Sequence, residues 1–390
     1  MKAVIASAVR TPFGSFQGVL SPLKASEIGA AAIKEAVRRA GVENDHVDMV
    51  YMGNVLPAGM GQAPARQATI YAGLSEHTPT VTVSKVCGSG MESIIQAARA
   101  VMVGDANVVV AGGMESMTNA PYLLPKMRGG TRMGHGQVVD SMFLDGLEDA
   151  YEGGRLMGAF AEDCAEAFQF TREAQDAYAL GSLERATAAQ GGAFDAEIAP
   201  VTVRTRRGEV EVREDEQPGL ARPDKIPGLR PAFREGGTVT AANASSISDG
   251  AAALLMAAAD AADERGLPVR ARVLGHATHA QAPGWFTTAP VPAARKLLDR
   301  ISWAVEDVDL WEVNEAFAVV PMAFMRELGV DRDRVNVNGG ACALGHPIGA
   351  SGARIVVTLL HALEARGLKR GVAAICIGGG EGTAIAVERV

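Results

Sequence analysis

Four short motifs place a reactive side chain next to a glycine turn or at the end of a predicted strand. Cys87 lies in Val-Cys-Gly-Ser-Gly, between a β-rich run and a helical stretch, and Cys376 ends an apolar run before three glycines. His346 precedes a proline at a predicted helix start, and Asn314 follows a short apolar strand. A thiolate nucleophile, a histidine base and backbone N–H groups beside glycines form the minimum set for acyl transfer. The motifs therefore predict an acyl-transfer site if the fold brings them together.

Cys87 is the predicted nucleophile because of its local context. A cysteine at the point where a strand turns into a helix has its sulfur near unpaired N–H groups and the positive end of the helix dipole. This position favours the thiolate and predicts a lowered pKa for the Cys87 thiol. Taken alone, Cys87 would equally serve as a packed small side chain, His346 as a structural histidine, and glycines 378–380 as a tight turn or phosphate loop. Their joint occurrence favours catalysis.

The composition is that of a globular protein without a nucleic-acid or membrane partner. The chain has 390 residues, 48% of them hydrophobic and 21% charged, which is enough for two or three domains. The net charge is −8 and the Lys and Arg residues are scattered, which argues against nucleic acid. The N-terminal region lacks the pattern of a secretory signal, and no apolar run approaches the ~18 residues of a membrane span. We therefore expect a soluble, cytoplasmic protein.

The four cysteines do not form a metal-binding pattern. They stand at positions 87, 164, 342 and 376, without a Cys-x-x-Cys pair and without a histidine at ligand spacing. We therefore expect free thiols and no metal. Cys164 falls in a helical pattern and is predicted to be a small buried hydrophobic side chain.

Apolar strand-like runs alternate with amphipathic helices in both parts of the chain. The predicted strands are Ala3–Val9, Met49–Met52, Val81–Val83, Val108–Ala111, Asp249–Ala258, Val269–Ala277 and Val308–Val313. The predicted helices of the first part are Lys24–Ala40, Ala63–Ala72 and Met91–Val103. This alternation predicts an α/β fold with a mainly parallel sheet and helices on its faces. Ligands bind at the carboxyl ends of the strands in such a sheet, so the four motifs should meet at one edge.

The second part of the chain repeats the order of elements of the first. Residues 32–48 align without a gap to residues 293–309, and both segments carry a helix followed by Val-Asp and a strand. An internal duplication is therefore the prediction. The segment between the halves is rich in proline, glycine and charge, which is typical of an insertion that covers one face. The predicted units are an N-terminal half at 1–118 plus 242–268, an inserted loop domain at 119–241, and a C-terminal half at 269–390.

Five motifs together resemble those of the thiolase family, the acetyl-CoA C-acetyltransferases. They are Val86-Cys-Gly-Ser-Gly90, Ala111-Gly-Gly-Met-Glu-Ser-Met117, Asn314-Glu-Ala-Phe-Ala318, Asn336-Val-Asn-Gly-Gly340 with Gly345-His-Pro-Ile-Gly-Ala-Ser-Gly352, and Cys376-Ile-Gly-Gly-Gly380. The resemblance runs from the first strand to the last. It implies duplicated βαβαβαββ halves that form a five-layered αβαβα core, with the insertion as a loop domain.

The resemblance implies a role for each reactive residue. The cysteine that matches Cys87 takes the acyl group from an acyl-CoA, and the histidine that matches His346 removes its proton. The cysteine that matches Cys376 acts as acid and base on the second substrate. The implied reaction is the reversible condensation of two acetyl-CoA to acetoacetyl-CoA and CoA, or the thiolysis of a 3-oxoacyl-CoA.

Two oxyanion holes are also implied by the resemblance. His346 and a water held by Asn314 stabilise the enolate, where one such donor is commonly worth ~3–4 kcal/mol. The backbone N–H groups of Cys87 and Gly378 stabilise the oxyanion formed at the acyl-enzyme. A side chain at position 378 would then occupy the space of the reacting carbon.

The implied substrates are coenzyme A thioesters, with no tightly bound cofactor. The family contacts the pantetheine arm through residues that match Ser245, Met157 and Phe317, and the insertion supplies the contacts to the nucleotide end. Short-chain members often have a histidine where this chain has Leu156, and the change removes a polar contact near the thioester.

A second departure lies in the segment Gln217–Gly228, which differs from the usual Thr-rich version. Its Arg222 and Lys225 are candidate contacts to the CoA phosphates. The family is usually dimeric or tetrameric, so we expect a homodimer or homotetramer. The β-rich segment before Cys87 is the candidate dimer edge.

Three other functions compete with this interpretation. A β-ketoacyl synthase pairs its cysteine with two histidines, whereas this chain has one motif histidine and a second cysteine at position 376. A non-catalytic lipid carrier of the same fold predicts the loss of a catalytic residue, and each is present. A dinucleotide-binding oxidoreductase needs a phosphate fingerprint early in the chain, which residues 9–18 do not supply. Within the family, a longer-chain 3-ketoacyl-CoA thiolase of fatty-acid β-oxidation remains an alternative.

Overall fold

Strands and helices alternate along residues 2–390, which are the part of the chain that a computed structural model describes. The strands are β1 (Ala3–Arg10), β2 (Gly14–Ser15), β3 (Met49–Gly53), β4 (Thr80–Val83), β5 (Val108–Ser116), β6 (Tyr122–Leu123), β7 (Val139–Asp140), β8 (Val201–Thr205), β9 (Gly208–Val212), β10 (Ser248–Ala258), β11 (Ala271–Ala280), β12 (Leu310–Val313), β13 (Arg370–Ile377) and β14 (Glu381–Arg389). The α-helices are α1 (Ala25–Ala40), α2 (Pro64–Tyr71), α3 (Ser89–Val103), α4 (Met157–Ala167), α5 (Arg172–Ala189), α6 (Glu216–Leu220), α7 (Ala259–Arg265), α8 (Pro290–Ile301), α9 (Val319–Leu328), α10 (Ala341–Leu344) and α11 (Ile348–Ala365). Each predicted strand and helix is found, and β5 continues beyond its predicted end to Ser116.

The main sheet is mixed, so the prediction of a mainly parallel sheet is wrong. It has ten strands, and its order is β12-β13-β14-β11-β1-β10-β5-β3-β4, with β2 paired to β10. Parallel pairs occur only where a helix connects the strands, in β3 with β4, β3 with β5, and β12 with β13. The tight glycine turn between β13 and β14 allows only antiparallel pairing, and β1, β10 and β11 are antiparallel as well. The sequence pattern showed that strands and helices alternate, but it did not show which strands run antiparallel to their neighbours.

The two halves carry the same elements in the same order. Helix α1 ends at Ala40 and α8 ends at Ile301, which are equivalent positions in the gap-free alignment of the two segments. The sheet is correspondingly symmetric about the β1–β11 pair, with β3, β5 and β10 on one side and β12, β13 and β14 on the other. In the second half, Val335 forms a single bridge with Trp311 of β12, at the position that β4 occupies beside β3 in the first half. These matches support the duplication, and the domain boundaries given above stay a prediction.

Three apolar clusters define the layers of the core. Helices α3 and α11 pack together in the central cluster, between the strands of the two halves. Helices α1 and α2 cover the first half on one outer face, and α8 and α9 cover the second half on the other. The resulting order is helix, sheet, helix, sheet, helix, as expected for the five-layered core. Helix α11 is long and apolar enough to cross a membrane by composition, but 89% of it is buried, which is typical of a core helix.

Candidate active site

Cys87 stands at the turn between β4 and α3, and the turn is tightly held. The preceding residue, Val86, has a φ of 44°, which is rare for a β-branched residue. Strained backbone of this kind persists only where the surrounding contacts enforce it. Here the Ser89 hydroxyl accepts a hydrogen bond from the Lys85 N–H (2.8 Å) and donates one to the Val86 carbonyl (2.7 Å). The nucleophile therefore has a fixed backbone position.

The lowered pKa predicted for Cys87 is wrong. Burial raises its pKa to about 11, and the nearby charge of Glu115 acts in the same direction. The backbone N–H groups of Gly378 and of Cys87 itself favour the thiolate but do not offset the burial. The sulfur packs against an apolar group that we call the Cys87 cluster, formed by Val55, Leu56, Met117, Met142 and Ile348. In the free protein Cys87 is therefore a thiol and needs a base.

His346 is neutral and has the tautomer that allows its Nε2 to act as that base. Its Nδ1 lies 2.6 Å from the Ser351 hydroxyl, and the same hydroxyl donates to the Pro347 carbonyl at 2.9 Å. Since a hydroxyl has one proton, Nδ1 must be the protonated nitrogen that donates to Ser351. Burial lowers the pKa of His346 to about 3, with the charge of Arg354 as a second cause. The ring is therefore neutral, and its buried Nε2 lone pair has no partner among residues 2–390.

Cys376 approaches the site from the other half of the chain. It lies near the end of β13, 1% exposed, and burial raises its pKa well above the ordinary value. The turns that carry Cys87 and Cys376 are in contact, because a Cβ built on Gly88 would lie 2.4 Å from the Ile377 Cδ1 and one on Gly378 would lie 3.6 Å from the Val86 Cγ1. Both cysteines are therefore neutral thiols before substrate binds.

The glycine turn after Cys376 leaves room for a ligand. A Cβ built on Gly378 would lie 3.5 Å from the Met157 Sδ and 3.6 Å from the Val86 Cγ1, which is ordinary contact. A Cβ on Gly380 would instead lie 2.4 Å from the Gln281 carbonyl oxygen, which no side chain allows. Gly380 is thus required by packing, whereas the protein itself leaves the position beside Gly378 open.

Asn314 has an unpartnered amide in the interior. Both its Oδ1 and its Nδ2 are buried and have no hydrogen-bond partner among the described residues. Buried amides are ordinarily paired, so this one is suited to hold a water or a substrate oxygen. Its position is fixed by Asn336, whose side chain bonds both the N–H (2.7 Å) and the carbonyl (2.8 Å) of Val313.

Glu315 holds the segment after Asn314 against its neighbours. It accepts hydrogen bonds from four donors, the Tyr178 hydroxyl (2.9 Å), the Ser182 hydroxyl (2.7 Å), the Asn336 Nδ2 (2.9 Å) and the Cys342 N–H (3.0 Å). These donors come from α5 of the insertion and from the 336–342 segment. The sequence showed an Asn-Glu pair at a strand end, but it gave no sign of these partners.

The predicted pantetheine contacts come together near Cys376. The Ser245 hydroxyl donates to the Ala316 carbonyl at 2.9 Å, and Ala244 forms a bridge with Phe317. The Phe317 ring packs edge-on against Phe233, with the centroids 5.9 Å apart. Met157 packs against the same apolar cluster, which also contains Cys376. Phe317 and Met157 therefore share an apolar cluster with Cys376, and Ser245 is bonded to the segment that carries Phe317.

The remaining predicted contacts are spread over the insertion. Leu156 is half-buried and precedes α4, so it is adjacent to Met157. Arg222 and Lys225 are exposed, and within residues 2–390 neither forms a salt bridge. Their segment is attached to α5 by Arg172, which donates to two of its carbonyls. The structure therefore leaves both cations free but does not bring them into contact with the thiols.

Comparison with known proteins gives full-length matches. The family described as "Thiolase, N-terminal domain" matches residues 3–260, and "Thiolase, C-terminal domain" matches residues 267–389. The chain is 50% identical over 390 residues to the acetyl-CoA acetyltransferase of Cupriavidus necator, covering 99% of each protein. It is likewise 50% identical to the acetyl-CoA acetyltransferase of Escherichia coli, again with 99% of each protein covered.

Solved structures show the same fold. The acetyl-CoA acetyltransferase of Bacillus anthracis aligns with a TM-score of 0.97 and 42% identity, over 100% of this chain and 99% of that one. A thiolase from Ascaris suum, in complex with coenzyme A, aligns with a TM-score of 0.94 and 45% identity over 100% of both chains. Together with the family matches to both halves, these likenesses show that the chain belongs to the thiolase family.

Proposed function

We propose that the protein is an acetyl-CoA C-acetyltransferase that condenses two acetyl-CoA reversibly to acetoacetyl-CoA and CoA. The observation that carries this proposal is the contact between the turns of two free thiols, half-buried Cys87 and buried Cys376, together with a neutral His346 whose Nε2 has no partner among the described residues. The names of the full-length relatives agree with it. The substrates are acyl-CoA and CoA, and a related thiolase has been solved with coenzyme A bound.

In the first half-reaction Cys87 becomes acylated. The His346 Nε2 takes the Cys87 proton, and the thiolate attacks the thioester carbonyl carbon. The N–H groups that face the Cys87 sulfur, its own and that of Gly378, stabilise the oxyanion as it forms. When the carbon–sulfur bond to CoA breaks, Cys376 gives its proton to the departing CoA sulfur. The products are acyl-Cys87, protonated His346, a Cys376 thiolate and free CoA.

In the second half-reaction the new carbon–carbon bond forms. The Cys376 thiolate removes a proton from the methyl carbon of a second acetyl-CoA. The enolate oxygen is stabilised by protonated His346 and by a water on the Asn314 amide. The enolate carbon attacks the acyl carbonyl, Cys87 leaves as a thiolate, and it recovers its proton from His346. All three side chains return to their starting protonation states, so the cycle is balanced.

The preferred acyl chain length of the substrate distinguishes this enzyme from a longer-chain 3-ketoacyl-CoA thiolase of fatty-acid metabolism. Thiolysis rates over a series of 3-oxoacyl-CoA lengths test the proposal directly, and acetoacetyl-CoA should give the highest kcat/KM. A missing methylene in an apolar pocket commonly changes a rate by about 10- to 200-fold. A protein that cleaves no member of the series would contradict the proposal.

We propose that Leu156 shifts the chain-length preference towards longer acyl chains than a histidine at this position would allow. It adjoins Met157, which borders the open space beside Gly378. Leu156→His should raise the rate with acetoacetyl-CoA relative to 3-oxo substrates of eight to sixteen carbons, because it adds a polar contact beside the thioester. The measurement is the ratio of the two kcat/KM values in wild type and variant. Equal ratios would show that Leu156 does not affect chain length.

We propose a homodimer or homotetramer that uses the β4 edge. Strand β4 ends the main sheet and is paired on one side only, by β3. Its Val81 is 37% exposed although it is apolar, as expected of an edge that a second copy covers. Sedimentation should give the mass of two or four chains, and a monomer at micromolar concentration would contradict this assembly.

A reducing, cytoplasmic location fits the chemistry. All four cysteines are free, and the proposed reaction needs two of them as thiols. Thiols persist in a reducing compartment, whereas neighbouring thiols in an oxidising one tend to form a disulfide. We therefore place the protein in the cytoplasm.

A further inference from the structure

Glu115 is a buried carboxylate beside the nucleophile that the reaction described above does not use. It lies near the end of β5, is 0% exposed, and its charge is one cause of the raised pKa of Cys87. Among residues 2–390 it forms no salt bridge. Burial raises the pKa of Glu115 to about 7, whereas hydrogen bonds from the N–H groups of Val55, Leu56 and Gly349 favour the carboxylate.

The carboxylate of Glu115 accepts four hydrogen bonds, two on each oxygen. Oε1 accepts from the Asn54 Nδ2 (2.6 Å) and the Leu56 N–H (3.2 Å). Oε2 accepts from the Val55 N–H (2.9 Å) and the Gly349 N–H (2.9 Å). Three donors belong to the segment after β3, in the first half of the chain, and the fourth belongs to the first turn of α11, in the second half. Glu115 therefore connects the two halves.

Glycines allow this first turn of α11 to approach the first half closely. A Cβ on Gly113 would lie 2.0 Å from the Gly349 carbonyl oxygen, and one on Gly53 would lie 2.8 Å from it. A Cβ on Gly90, in the first turn of α3, would lie 3.0 Å from the same oxygen. The Gly349 peptide is thus enclosed on its carbonyl side by three glycines and bonded on its N–H side by Glu115.

We propose that Glu115 is a positioning residue that sets the His346 ring against the Cys87 sulfur. His346 precedes Gly349 in the segment that enters α11, and Cys87 precedes Gly90 in the segment that enters α3. The two glycines meet where the Glu115 carboxylate holds α11. The proposal rests on the roles assigned above to Cys87 and His346.

A glutamine disturbs this arrangement in either orientation. With its NH₂ at the Oε1 position it faces the Leu56 N–H and the Asn54 amide, and with its NH₂ at the Oε2 position it faces the Val55 and Gly349 N–H groups. The second orientation releases the Gly349 N–H, which frees the first turn of α11 and with it the base. A displacement of about 1 Å in a reacting group can cost about 10²-fold in rate.

The test is Glu115→Gln, measured by the single-turnover rate of Cys87 acylation and by kcat and KM. We expect acylation and kcat to fall by about 10²-fold, with KM for acetyl-CoA close to wild type because Ser245 and Phe317 are untouched. An acylation rate equal to wild type, or a loss seen only in KM, would overturn the proposal. If the glutamine variant does not fold, Glu115→Asp keeps the carboxylate on a shorter side chain. It should show the same lower acylation rate and kcat with an unchanged KM.

Two control variants separate positioning from general stability. Asp48 accepts hydrogen bonds from the Asn107 and Val108 N–H groups at the opposite end of β5 (2.7 and 2.9 Å). Asp48→Asn should lower the melting temperature without changing kcat. Asn54→Ala removes one donor to Glu115 but keeps the Gly349 bond, so its kcat should fall far less than that of Glu115→Gln. Equal losses in all three variants would show that Glu115 only stabilises the fold.

Acyl-enzyme formation by Cys87→Ala distinguishes a failure of the proposed reaction from a failure of the role proposed for Glu115. If Cys87→Ala still forms an acyl-enzyme, the proposed reaction is wrong. If Cys87→Ala is inactive while Glu115→Gln acylates at the wild-type rate, the reaction stands and only the role of Glu115 is wrong.

Discussion

Cys87→Ala is expected to abolish both condensation and thiolysis. The variant lacks the sulfur that carries the acyl group and that faces the N–H groups of Gly378 and residue 87. Loss of a nucleophile that works as a unit with its base commonly costs on the order of 10⁴-fold or more. The measurement is the rate of acetoacetyl-CoA consumption in the presence of CoA, followed with purified variant and wild type.

The matched control for this variant is Cys164→Ala. Cys164 is a buried free thiol of α4, and it packs in the outer cluster as the sequence predicts. Its removal deletes one sulfur without touching Cys87 or His346, so kcat should stay near wild type. Substantial activity in Cys87→Ala would contradict the assignment of the nucleophile, and inactivity of both variants would point to a general effect of cysteine loss.

Cys376→Ala is expected to separate the two half-reactions. Cys87, His346 and the N–H group of Gly378 remain, so the variant should still take an acetyl group from acetyl-CoA. It lacks the thiolate that removes the methyl proton, so condensation should fall by about 10²- to 10⁴-fold, the usual contribution of a general base. Leaving CoA also loses its acid, and acylation should therefore be slower but complete.

The measurement follows both half-reactions, and we expect a slow acylation together with a strongly reduced condensation. Released CoA reports the first half-reaction, and acetoacetyl-CoA reports the second. One CoA per chain without further turnover is the expected result. Wild-type condensation in Cys376→Ala would show that another group removes the methyl proton.

The positions of the proposed reactive residues in the fold could be predicted from the sequence because each depends on a local turn. Cys87, His346 and Cys376 each lie within two residues of a glycine or proline near the start or end of an element, and the structure places all three at such points. The gap-free alignment of residues 32–48 with 293–309 likewise reflects elements that each half forms by itself. The five-layered core is implied by the resemblance to thiolases and not by this repeat alone.

The pKa of Cys87 could not be predicted in this way. The argument from the start of α3 counted the N–H groups near the sulfur but not the apolar residues that surround it. Those residues come from distant parts of the chain, among them Val55, Met142 and Ile348. Burial by them exceeds the effect of the N–H groups, and the thiol is the resting state.

The supporting residues were missed for a similar reason. Ser351 sets the tautomer of His346 because its hydroxyl donates its only proton to the Pro347 carbonyl and can then only accept from the ring. Glu315 and Glu115 act through donors that the fold assembles from both halves. The mixed direction of the sheet was missed because alternating strands and helices do not reveal which strands return. Each of these features depends on pairs of residues that are far apart in sequence.

The most direct test of the central claim is a peptide map of Cys376→Ala after incubation with acetyl-CoA. The variant should trap the intermediate, because it can form the acyl-enzyme but cannot use it. We expect one acetyl group per chain, located on the peptide that contains Cys87 and removed when CoA is added. An acetyl group on any other residue, or none after prolonged incubation, would contradict Cys87 as the residue that carries the acyl group.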